Sequence, residues 1–444
     1  MASVEELIES IPERDWQVSR RAFMRRLAGG LAAAGFLGGT AGASATPQQK
    51  MAEKAAMLPK MDVGDERFWL SVRDQFILKD DLALMNAANL CPSPYQVMEM
   101  VFDYTRDVDK DASFFNREKF GQLQEDARTK LAKLLGATPD EIAIVRNASE
   151  GNNAISSGFV LKEGDEVLLS DLNHPSNNKA WEVKSRRYGF TINYAKFDRT
   201  PKSQEEIVKA FRDAITPKTK LMTFTHVSNT TGVLVPARAL CALGHERGLF
   251  VHVDGAQSFG ALKINLADMG CDSYSGSAHK WFMGPKEVGV LYVRKERQQD
   301  VWPSIVSVPW RDDVVGARKY EALGQRDDSA VAAMGRGADF HMTIGPDRVE
   351  ARMRQIATAI KDGLSKLPGV ELTTSNDPAL SAGVVIFKPG PLDARKVYER
   401  LYNTYRIAGA GMGPNIRLSP HIYNTMGETD RVIAAVSEML KDGV

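Results

Sequence analysis

Short apolar runs alternate with helical stretches along the chain from about residue 81 onward. The runs are rich in β-branched residues, and turn residues bound them; they cover residues 142–145, 166–170, 220–225, 249–253 and 289–293. Because a helical stretch separates most of these runs, the pattern predicts βα units and a largely parallel sheet. The predicted fold class is therefore α/β.

The pattern changes after about residue 315. Long charged amphipathic helices are predicted over residues 348–367 and 393–405, and short strands near residues 383–387 and 416–419. This combination is typical of a smaller α+β domain. We therefore predict a large domain over residues 81–315 and a small C-terminal domain over residues 316–444, preceded by an N-terminal arm over residues 46–80.

The first 45 residues have the features of an export signal. Arg20 and Arg21 precede an apolar run over residues 27–37, and small residues follow at 43–45. A basic amphipathic helix or a membrane anchor is the alternative, but the run of 11 residues is shorter than the roughly 20 that cross a bilayer as a helix. We predict a twin-arginine signal peptide without a stable membrane anchor, and export by the twin-arginine machinery to the periplasm or outside the cell.

Composition and charge exclude several classes of protein. The 444 residues are 43% hydrophobic and 25% charged, which is ordinary for a globular protein with a large core. Since 57 basic side chains balance 56 acidic ones, no net field attracts nucleic acid or anionic lipid. The three cysteines share no CxxC spacing, so we expect neither a zinc site nor a disulfide framework.

Two polar clusters follow predicted strands. Asp254 ends the run at residues 249–253, and Ser277, His279 and Lys280 stand in a loop before the run at residues 289–293. In an open parallel sheet, ligands bind beyond the carboxyl ends of the strands. Taken alone, Lys280 could be an exposed lysine beside a structural histidine, and Asp254 with His252 could be a pair of metal ligands, although no third ligand is near.

Together these residues resemble the aspartate and Schiff-base lysine motifs of fold type I pyridoxal phosphate enzymes, specifically the isopenicillin N epimerase-like branch of the class V aminotransferases. The resemblance runs in order from Asn86 to Arg417. It implies pyridoxal 5'-phosphate as cofactor, and a large domain with a mainly parallel, seven-stranded sheet flanked by helices. It also implies a smaller C-terminal domain and a homodimer.

The resemblance assigns the reacting groups. Lys280 is expected to carry the cofactor and, once displaced, to act as the general base at the substrate Cα. Asp254 is expected to hold the proton on the ring nitrogen, since an opposite charge favours the charged form. Gln257 and Asn229 match positions that bond the ring hydroxyl or lie near it; polar turn residues after a strand are the alternative.

Other positions match binding elements of the family. Ala148 and Ser149 open a helix whose N-terminus would bind the phosphate, with side-chain bonds from Ser277 and His279. His174 is expected to stack on the cofactor ring, although a histidine after a strand is more often structural. Arg417 is expected to grip the substrate carboxylate, and Asn86 to contribute to the same substrate-binding site.

One segment departs from the family. Where relatives carry a Gly-Thr pair that reaches the phosphate of the neighbouring subunit, this chain has Gly324 and Gln325, followed by Arg326. The intersubunit contact therefore requires the Gln amide or Arg326 as a substitute.

The reaction is less constrained than the fold. Residues 406–414 contain no cysteine where desulfurases of the family carry their nucleophile, which argues against desulfuration. Transamination is the first prediction, followed by epimerisation and β-elimination; a catalytically idle cofactor-binding protein is the alternative from another class. The expected substrate is an amino acid, or an amino-acid moiety of a peptidic metabolite.

Overall fold

A computed structural model describes residues 65–307 and 316–444. These residues belong to one compact unit, Lys60–Val444. The predicted signal peptide and most of the predicted arm lie outside the described residues.

A seven-stranded sheet forms the centre of the molecule, with the strand order β2-β8-β7-β6-β5-β3-β4. β8 runs antiparallel to both of its neighbours, and the other pairs are parallel. This confirms the predicted α/β class with a mainly parallel sheet. The strands, preceded in the chain by the short β1 (Ala83–Leu84), are β2 (Ile142–Val145), β3 (Glu166–Ser170), β4 (Thr191–Ala195), β5 (Thr219–Thr225), β6 (Phe250–Asp254), β7 (Ser273–Ser277) and β8 (Gly289–Val293).

Helices cover both faces of this sheet. The helices that precede or connect its strands are α1 (Glu66–Arg73), α2 (Tyr95–Lys110), α3 (Phe114–Arg117), α4 (Lys119–Leu135), α5 (Ala148–Gly158), α6 (Pro175–Tyr188), α7 (Gln204–Ala214), α8 (Ala237–Glu246) and α9 (Leu266–Met269). All residues of β2, β6, β7 and β8 are buried. Strands covered on both faces read as continuous apolar runs rather than as alternating patterns, which is why the sequence located several of them.

Two apolar cores lie on opposite faces of the sheet. Successive strand residues point to opposite faces, so Ile144 packs in one core and Val145 in the other. The larger core also takes Leu131 from α4 and Met334 from a helix that follows the sheet. The strand edges near the candidate site are therefore held from both sides.

The C-terminal part contains a four-stranded antiparallel sheet with the order β12-β13-β10-β9. Its elements are α10 (Asp328–Ile344), α11 (Pro346–Leu364), β9 (Glu371–Leu372), β10 (Val385–Lys388), α12 (Ala394–Asn403), β11 (Ile407–Ala408), β12 (Ala410–Met412), β13 (Asn415–Leu418) and α13 (Met426–Asp442). The predicted helices and strands of this region are present. α10 nevertheless packs against α2 and α4, and the domain boundaries at residues 81, 315 and 316 stay predictions.

Among the described residues, no helix has both the length and the apolar character that crossing a bilayer requires.

Candidate active site

The carboxyl ends of β5, β6 and β7 meet at one edge of the central sheet. Thr225 pairs with Asp254, and Asp254 pairs with Ser275 on the next strand. The loop after β7 then carries His279 and Lys280 past the same edge. The structure thus brings the predicted aspartate and lysine to the place where open sheets of this kind bind ligands.

Asp254 is buried, with 2% of its surface exposed. Its Oδ1 accepts a hydrogen bond from the backbone N–H of Ala256 at 3.0 Å, and its Oδ2 accepts one from Nδ2 of Asn152 at 2.9 Å. A buried carboxylate is costly unless it is hydrogen-bonded or paired. Two donors therefore hold Asp254 in one orientation, and each oxygen keeps a further lone pair.

Lys280 is surrounded by groups that change its titration. Burial lowers its pKa most, the carboxylate of Asp254 opposes this shift, and the guanidinium of Arg417 adds to it. A buried amine loses hydration, which disfavours its charged form. The neutral amine, which can act as a nucleophile or accept a proton, is therefore more populated than in an exposed lysine.

The N-terminus of α5 forms an anion-binding cradle. The Ala148 N–H donates to Oγ of Ser277 at 2.9 Å, and the Glu150 N–H donates to Oδ1 of the N-cap residue Asn147 at 3.0 Å. Among the described residues no group accepts from the Ser149 N–H, which lies between them. Free N–H groups and the helix dipole favour an anion at such a place.

Close packing fixes this cradle. A Cβ atom on Gly289 would lie 2.4 Å from the Gly276 carbonyl oxygen and 2.8 Å from Cα of Asn147. Any side chain there would push the start of α5 away from β7 and β8. His279 follows Ser277 by two residues in the loop after β7. Burial lowers its pKa to about 4, so it is neutral at physiological pH and offers a hydrogen bond rather than a charge.

His174 is the N-cap residue of α6. Its Nδ1 accepts from the Ser176 N–H at 3.2 Å, and Oγ of Ser176 lies 2.7 Å from the same nitrogen. Burial lowers the pKa of His174, Lys280 and Arg417 lower it further, and Asp254 opposes them. The imidazole therefore lies in the electrostatic field of these three groups, with Nε2 not used in the cap.

Arg417 comes from β13 of the C-terminal sheet and is 6% exposed. Nη2 donates to Oδ1 of Asn86 at 3.2 Å, and Nη1 donates to the backbone oxygen of Asn229 at 3.3 Å. Nε is buried without a hydrogen-bond partner, and burial lowers the pKa of the guanidinium. A buried guanidinium whose donors meet only neutral acceptors is suited to receive a carboxylate.

Gln257 links two segments of the site. Its Nε2 donates to the backbone oxygen of Ala88 at 2.9 Å, and its Oε1 accepts from Nε1 of Trp281 at 2.7 Å. One N–H of the amide remains for a ligand. The segment after Asn86 continues to Cys91, whose N–H donates to the His279 oxygen at 2.8 Å, so it bridges the arginine side of the site and the lysine loop.

The segment that departs from the family contacts its own chain. Oε1 of Gln325 accepts from Nη2 of Arg117 at 2.9 Å, and Nη1 of Arg326 donates to the backbone oxygen of Ile144. Ile144 lies just before the anion-binding cradle. Reach to a neighbouring subunit stays a prediction.

Sequence reasoning missed Asn152 and gave His252 only a metal-binding alternative. Asn152 lies in the second turn of α5 and binds Asp254, while Nε2 of His252 lies 2.9 Å from Oδ1 of Asn152. Both side chains are buried. Spacing along the chain gives no signal for these contacts, although polar residues on the face of a helix turned towards the sheet are unusual.

The three cysteines lie in the interior of the protein. All three are buried and free, and burial raises the pKa of Cys91 and of Cys241 to about 12. Such thiols are poor nucleophiles. Within residues 65–307 and 316–444, no group of three His, Cys, Asp or Glu side chains is arranged to hold a metal ion.

Comparison with known proteins identifies the family. The sequence model of the family described as Aminotransferase class-V matches residues 87–432. The chain belongs to the class-V aminotransferase family. Within the family, isopenicillin N epimerase from Amycolatopsis lactamdurans is 32% identical over 394 residues, which are 84% of this chain and 99% of that protein.

A second isopenicillin N epimerase, from Streptomyces clavuligerus, is 30% identical and covers 84% of this chain and 98% of its own length. A probable cysteine desulfurase from Halalkalibacterium halodurans is 28% identical over 340 residues, which are 71% of this chain and 80% of that protein. These relatives place the chain in the epimerase-like branch of the class-V family, as the resemblance predicted.

Solved structures of family members share the fold. An apo cysteine desulfurase from Thermococcus onnurineus has a TM-score of 0.77 at 22% identity, covering 86% of this chain and 99% of its own. A cystine C–S lyase in complex with cysteine persulfide has a TM-score of 0.76 at 23% identity, covering 81% and 98%. At these identities the likeness establishes the fold type I architecture.

The chain is accordingly a pyridoxal 5'-phosphate-dependent class-V enzyme. The donor set fits this cofactor, because the unpartnered Ser149 amide at a helix N-terminus suits a phosphate, and the buried Asp254 carboxylate suits a protonated ring nitrogen. Lys280 is close enough to Asp254 and Arg417 for both to shift its pKa, which burial lowers most. The required chemical groups are therefore present in one place.

Proposed function

We propose that this enzyme transfers the amino group of an amino acid, or of an amino-acid moiety in a peptidic metabolite, through proton transfer at Cα. The observation that carries the proposal is the convergence of Lys280, Asp254 and Arg417 at one sheet edge, where Asp254 and Arg417 both shift the pKa of Lys280. A base, a carboxylate and a carboxylate-binding cation are the groups that such a reaction needs.

Pyridoxal phosphate, when bound, holds the amino group of the substrate and takes up the electron pair released when a bond at Cα breaks. We assign its phosphate to the cradle of Ala148 and Ser149, with Ser277 and His279 at its rim. Asp254 would hold a proton at the ring nitrogen, Gln257 and Asn229 would flank the ring hydroxyl, and His174 would pack on the ring.

Arg417 orients the substrate in this proposal. A guanidinium that keeps two side-chain donors on neutral acceptors and one nitrogen unpartnered can grip a carboxylate through parallel hydrogen bonds. Oδ1 of Asn86 supports the guanidinium by accepting a hydrogen bond from Nη2 of Arg417. Fixing the carboxylate fixes the direction of the Cα–H bond, which supplies part of the rate enhancement through orientation.

Lys280 carries the proton in this proposal. Its lowered pKa increases the fraction of neutral amine that can take the proton from Cα. Amino-group transfer requires a single proton carrier, and Lys280 fills this role. Burial of the lysine and of Asp254 also keeps bulk water from competing for the proton.

Epimerisation is the second candidate, favoured by the full-length similarity to two isopenicillin N epimerases. It requires proton delivery to both faces of Cα. Nε2 of His174 is not used in the α6 cap, which makes this imidazole a candidate for the second proton carrier. Desulfuration through a persulfide is not proposed, since burial raises the pKa of Cys91 to about 12 and residues 406–414 contain no cysteine.

The test is to incubate the holoenzyme in D₂O with a panel of L- and D-amino acids and a 2-oxo acid, with products followed by mass spectrometry. Amino-group transfer gives a new 2-oxo acid and a new amino acid, whereas epimerisation gives a deuterated enantiomer without an oxo acid. Lys280→Ala is expected to abolish both, and Lys295→Ala, on an exposed lysine, to keep wild-type rates. Turnover retained in Lys280→Ala would refute the assignment.

We also propose that the protein is exported through the twin-arginine pathway, on the basis of the segment around Arg20 and Arg21. Replacing both arginines by lysine is expected to retain the protein in the cytoplasmic fraction of a host that has this pathway. Equal periplasmic recovery of the double variant would contradict the proposal.

A homodimer is our proposed assembly. The adjacent side chains of Phe114 and Phe115 are 90% and 92% exposed, which is unusual for large apolar residues unless they meet a partner. Arg117, on the same short helix, contacts Gln325 in the segment expected to face a second subunit. Light scattering of the wild type should give twice the chain mass, and a Phe114→Ser, Phe115→Ser variant should shift towards monomer.

A further inference from the structure

A polar stripe lies on one face of the central sheet, beneath helix α5. His252 and Asp254 are two residues apart on β6, and Ser273 and Ser275 lie opposite them on β7. Side chains two apart on a strand share a face. Gly151 lets the helix approach this stripe, because a Cβ there would lie 2.8 Å from Cβ of Ser275.

Asn152 connects the stripe to the active site. It is 2% exposed, and its Oδ1 faces two groups: Nε2 of His252 at 2.9 Å and the hydroxyl of Ser275. Its Nδ2 donates to Oδ2 of Asp254 at 2.9 Å. Every polar end of this buried amide therefore has a partner, which fixes which way the amide points.

The protons in this chain of contacts have one consistent arrangement. Because Nδ2 of Asn152 donates to Asp254, its Oδ1 faces Nε2 of His252, so the ring hydrogen belongs on Nε2. The hydroxyl of Ser273, 2.7 Å from Nδ1, can then donate to that nitrogen. Burial lowers the pKa of His252 to about 3, so the ring stays neutral and has a single N–H. From donor to acceptor, the hydrogen bonds therefore run from Ser273 to His252, from His252 to Asn152, and from Asn152 to Asp254.

These hydrogen bonds set the orientation of the Asp254 carboxylate. Both Asp254 oxygens accept an N–H group, one from Nδ2 of Asn152 and one from the Ala256 backbone. Donors aimed at both oxygens therefore fix the plane and the direction of the carboxylate. Turning the amide over would place Oδ1 of Asn152 against the Asp254 carboxylate and would break its contacts with His252 and Ser275.

We propose that Asn152, held by His252, is a positioning residue that keeps the Asp254 carboxylate correctly aimed for the pyridoxal phosphate ring. The inference rests on the role proposed for Asp254 and extends it to two buried residues that do not touch the substrate. A purely structural role in packing α5 on the sheet is the competing explanation.

The experiment measures cofactor binding to apo-protein rather than turnover. Pyridoxal 5'-phosphate is titrated into wild type, Asn152→Leu, His252→Leu and Asp254→Asn, and the absorbance of the bound cofactor is recorded across pH. Loss of one charge-assisted hydrogen bond is expected to raise the Kd about 10- to 100-fold in Asn152→Leu. A smaller rise of a few-fold is expected in His252→Leu, where the amide remains but can rotate.

Asn153→Ala is the matched control, because Asn153 is the next residue of α5, is exposed and does not contact Asp254. It should bind the cofactor as the wild type does. The pH at which the absorbance of the bound cofactor changes should move in Asn152→Leu and not in the control, a shift that packing alone would not cause. Thermal melting of the apo-proteins verifies that each variant folds; Asn152→Ser replaces Asn152→Leu if the latter does not, with the same expected direction.

The possible results distinguish a failure of the role proposed for Asn152 from a failure of the role proposed for Asp254. Unchanged Kd and unchanged pH response in a folded Asn152→Leu or Asn152→Ser variant, together with a strong effect of Asp254→Asn, would overturn this inference alone. An Asp254→Asn variant that binds the cofactor with wild-type affinity and pH response would instead remove the role proposed for Asp254, and with it the basis of the inference.

Discussion

Replacing Arg417 tests the proposed substrate-binding geometry most directly. Arg417→Lys keeps a positive charge but loses the planar fork of the guanidinium, and Arg417→Gln loses the charge as well. In the structure the guanidinium is supported by Asn86 and by the Asn229 backbone, at 3.2 and 3.3 Å. Neither substitution removes a group from the phosphate cradle or from Asp254, so cofactor binding should be unaffected.

The magnitude follows from the hydrogen bonds at stake. A hydrogen bond to a charged group contributes about 1.5–3 kcal/mol. Loss of one of two such bonds in Arg417→Lys therefore predicts a fall in kcat/KM of roughly 10- to 100-fold. Loss of both in Arg417→Gln predicts about 10²- to 10⁴-fold. We expect most of the fall in kcat/KM to come from a higher KM, because the lost hydrogen bonds hold the substrate.

The assay uses the amino acid that the D₂O panel identifies, together with its carboxamide, in which the carboxylate is replaced by a neutral group. Wild-type enzyme should discriminate strongly against the carboxamide, and Arg417→Gln should lose this discrimination. Arg395→Lys, on a side chain that is 85% exposed, is the matched control and should behave as the wild type. The reasoning would be refuted if Arg417→Gln kept the preference for the carboxylate over the carboxamide.

Two further predictions concern stability. Arg128 is 1% exposed and bonds Glu321 and, at 2.7 Å, the Ile142 oxygen. Arg128→Met should lower the free energy of unfolding by about 3–5 kcal/mol, because the buried Glu321 carboxylate loses the guanidinium that pairs with it. An unchanged denaturation midpoint would contradict this. Burial lowers the pKa of five histidines to about 3–4, so the unfolded chain binds protons that the folded one does not. Stability should fall as pH drops below about 6.5 towards 4, with a melting temperature that declines over this range. His341→Gln, which can still donate to the Phe282 oxygen, should weaken that decline, whereas a melting temperature independent of pH would contradict it. The five histidines are His226, His252, His279, His341 and His421.

Much of the fold could be predicted from local patterns. β3 and β8 have the predicted bounds, and β6 is shifted by one residue from the run at residues 249–253. Such strands are covered on both faces, so successive residues are apolar and the strand appears in the sequence as a continuous apolar run. Helix bounds were less accurate, as α11 ends at Leu364 and not at residue 367, because the end of a helix depends on capping contacts as well as on its apolar face.

Some features of the candidate site could likewise be predicted from local patterns, and others could not. Lys280, Asp254 and Arg417 could be recognised because each stands in a short motif next to a strand, and motifs of this kind survive in a linear sequence. The engagement of Gln257 by Trp281 and Ala88 could not be recognised, since Ala88 is 169 residues away along the chain. A side chain within a motif can already donate one of its hydrogen bonds to a backbone oxygen that is distant in the sequence.

The sequence by itself determined the α/β class, the family and the residue types of the candidate site, because strand burial and local motifs leave patterns within a few residues. Only the tertiary structure placed Asn152 and His252, 100 residues apart in the chain, in contact beneath Asp254. That contact depends on the register of β6 against β7 and on the close approach of α5 to the sheet. Hydrogen bonds form between atoms about 3 Å apart, and such distances between remote residues exist only once the sheet and its helices have packed.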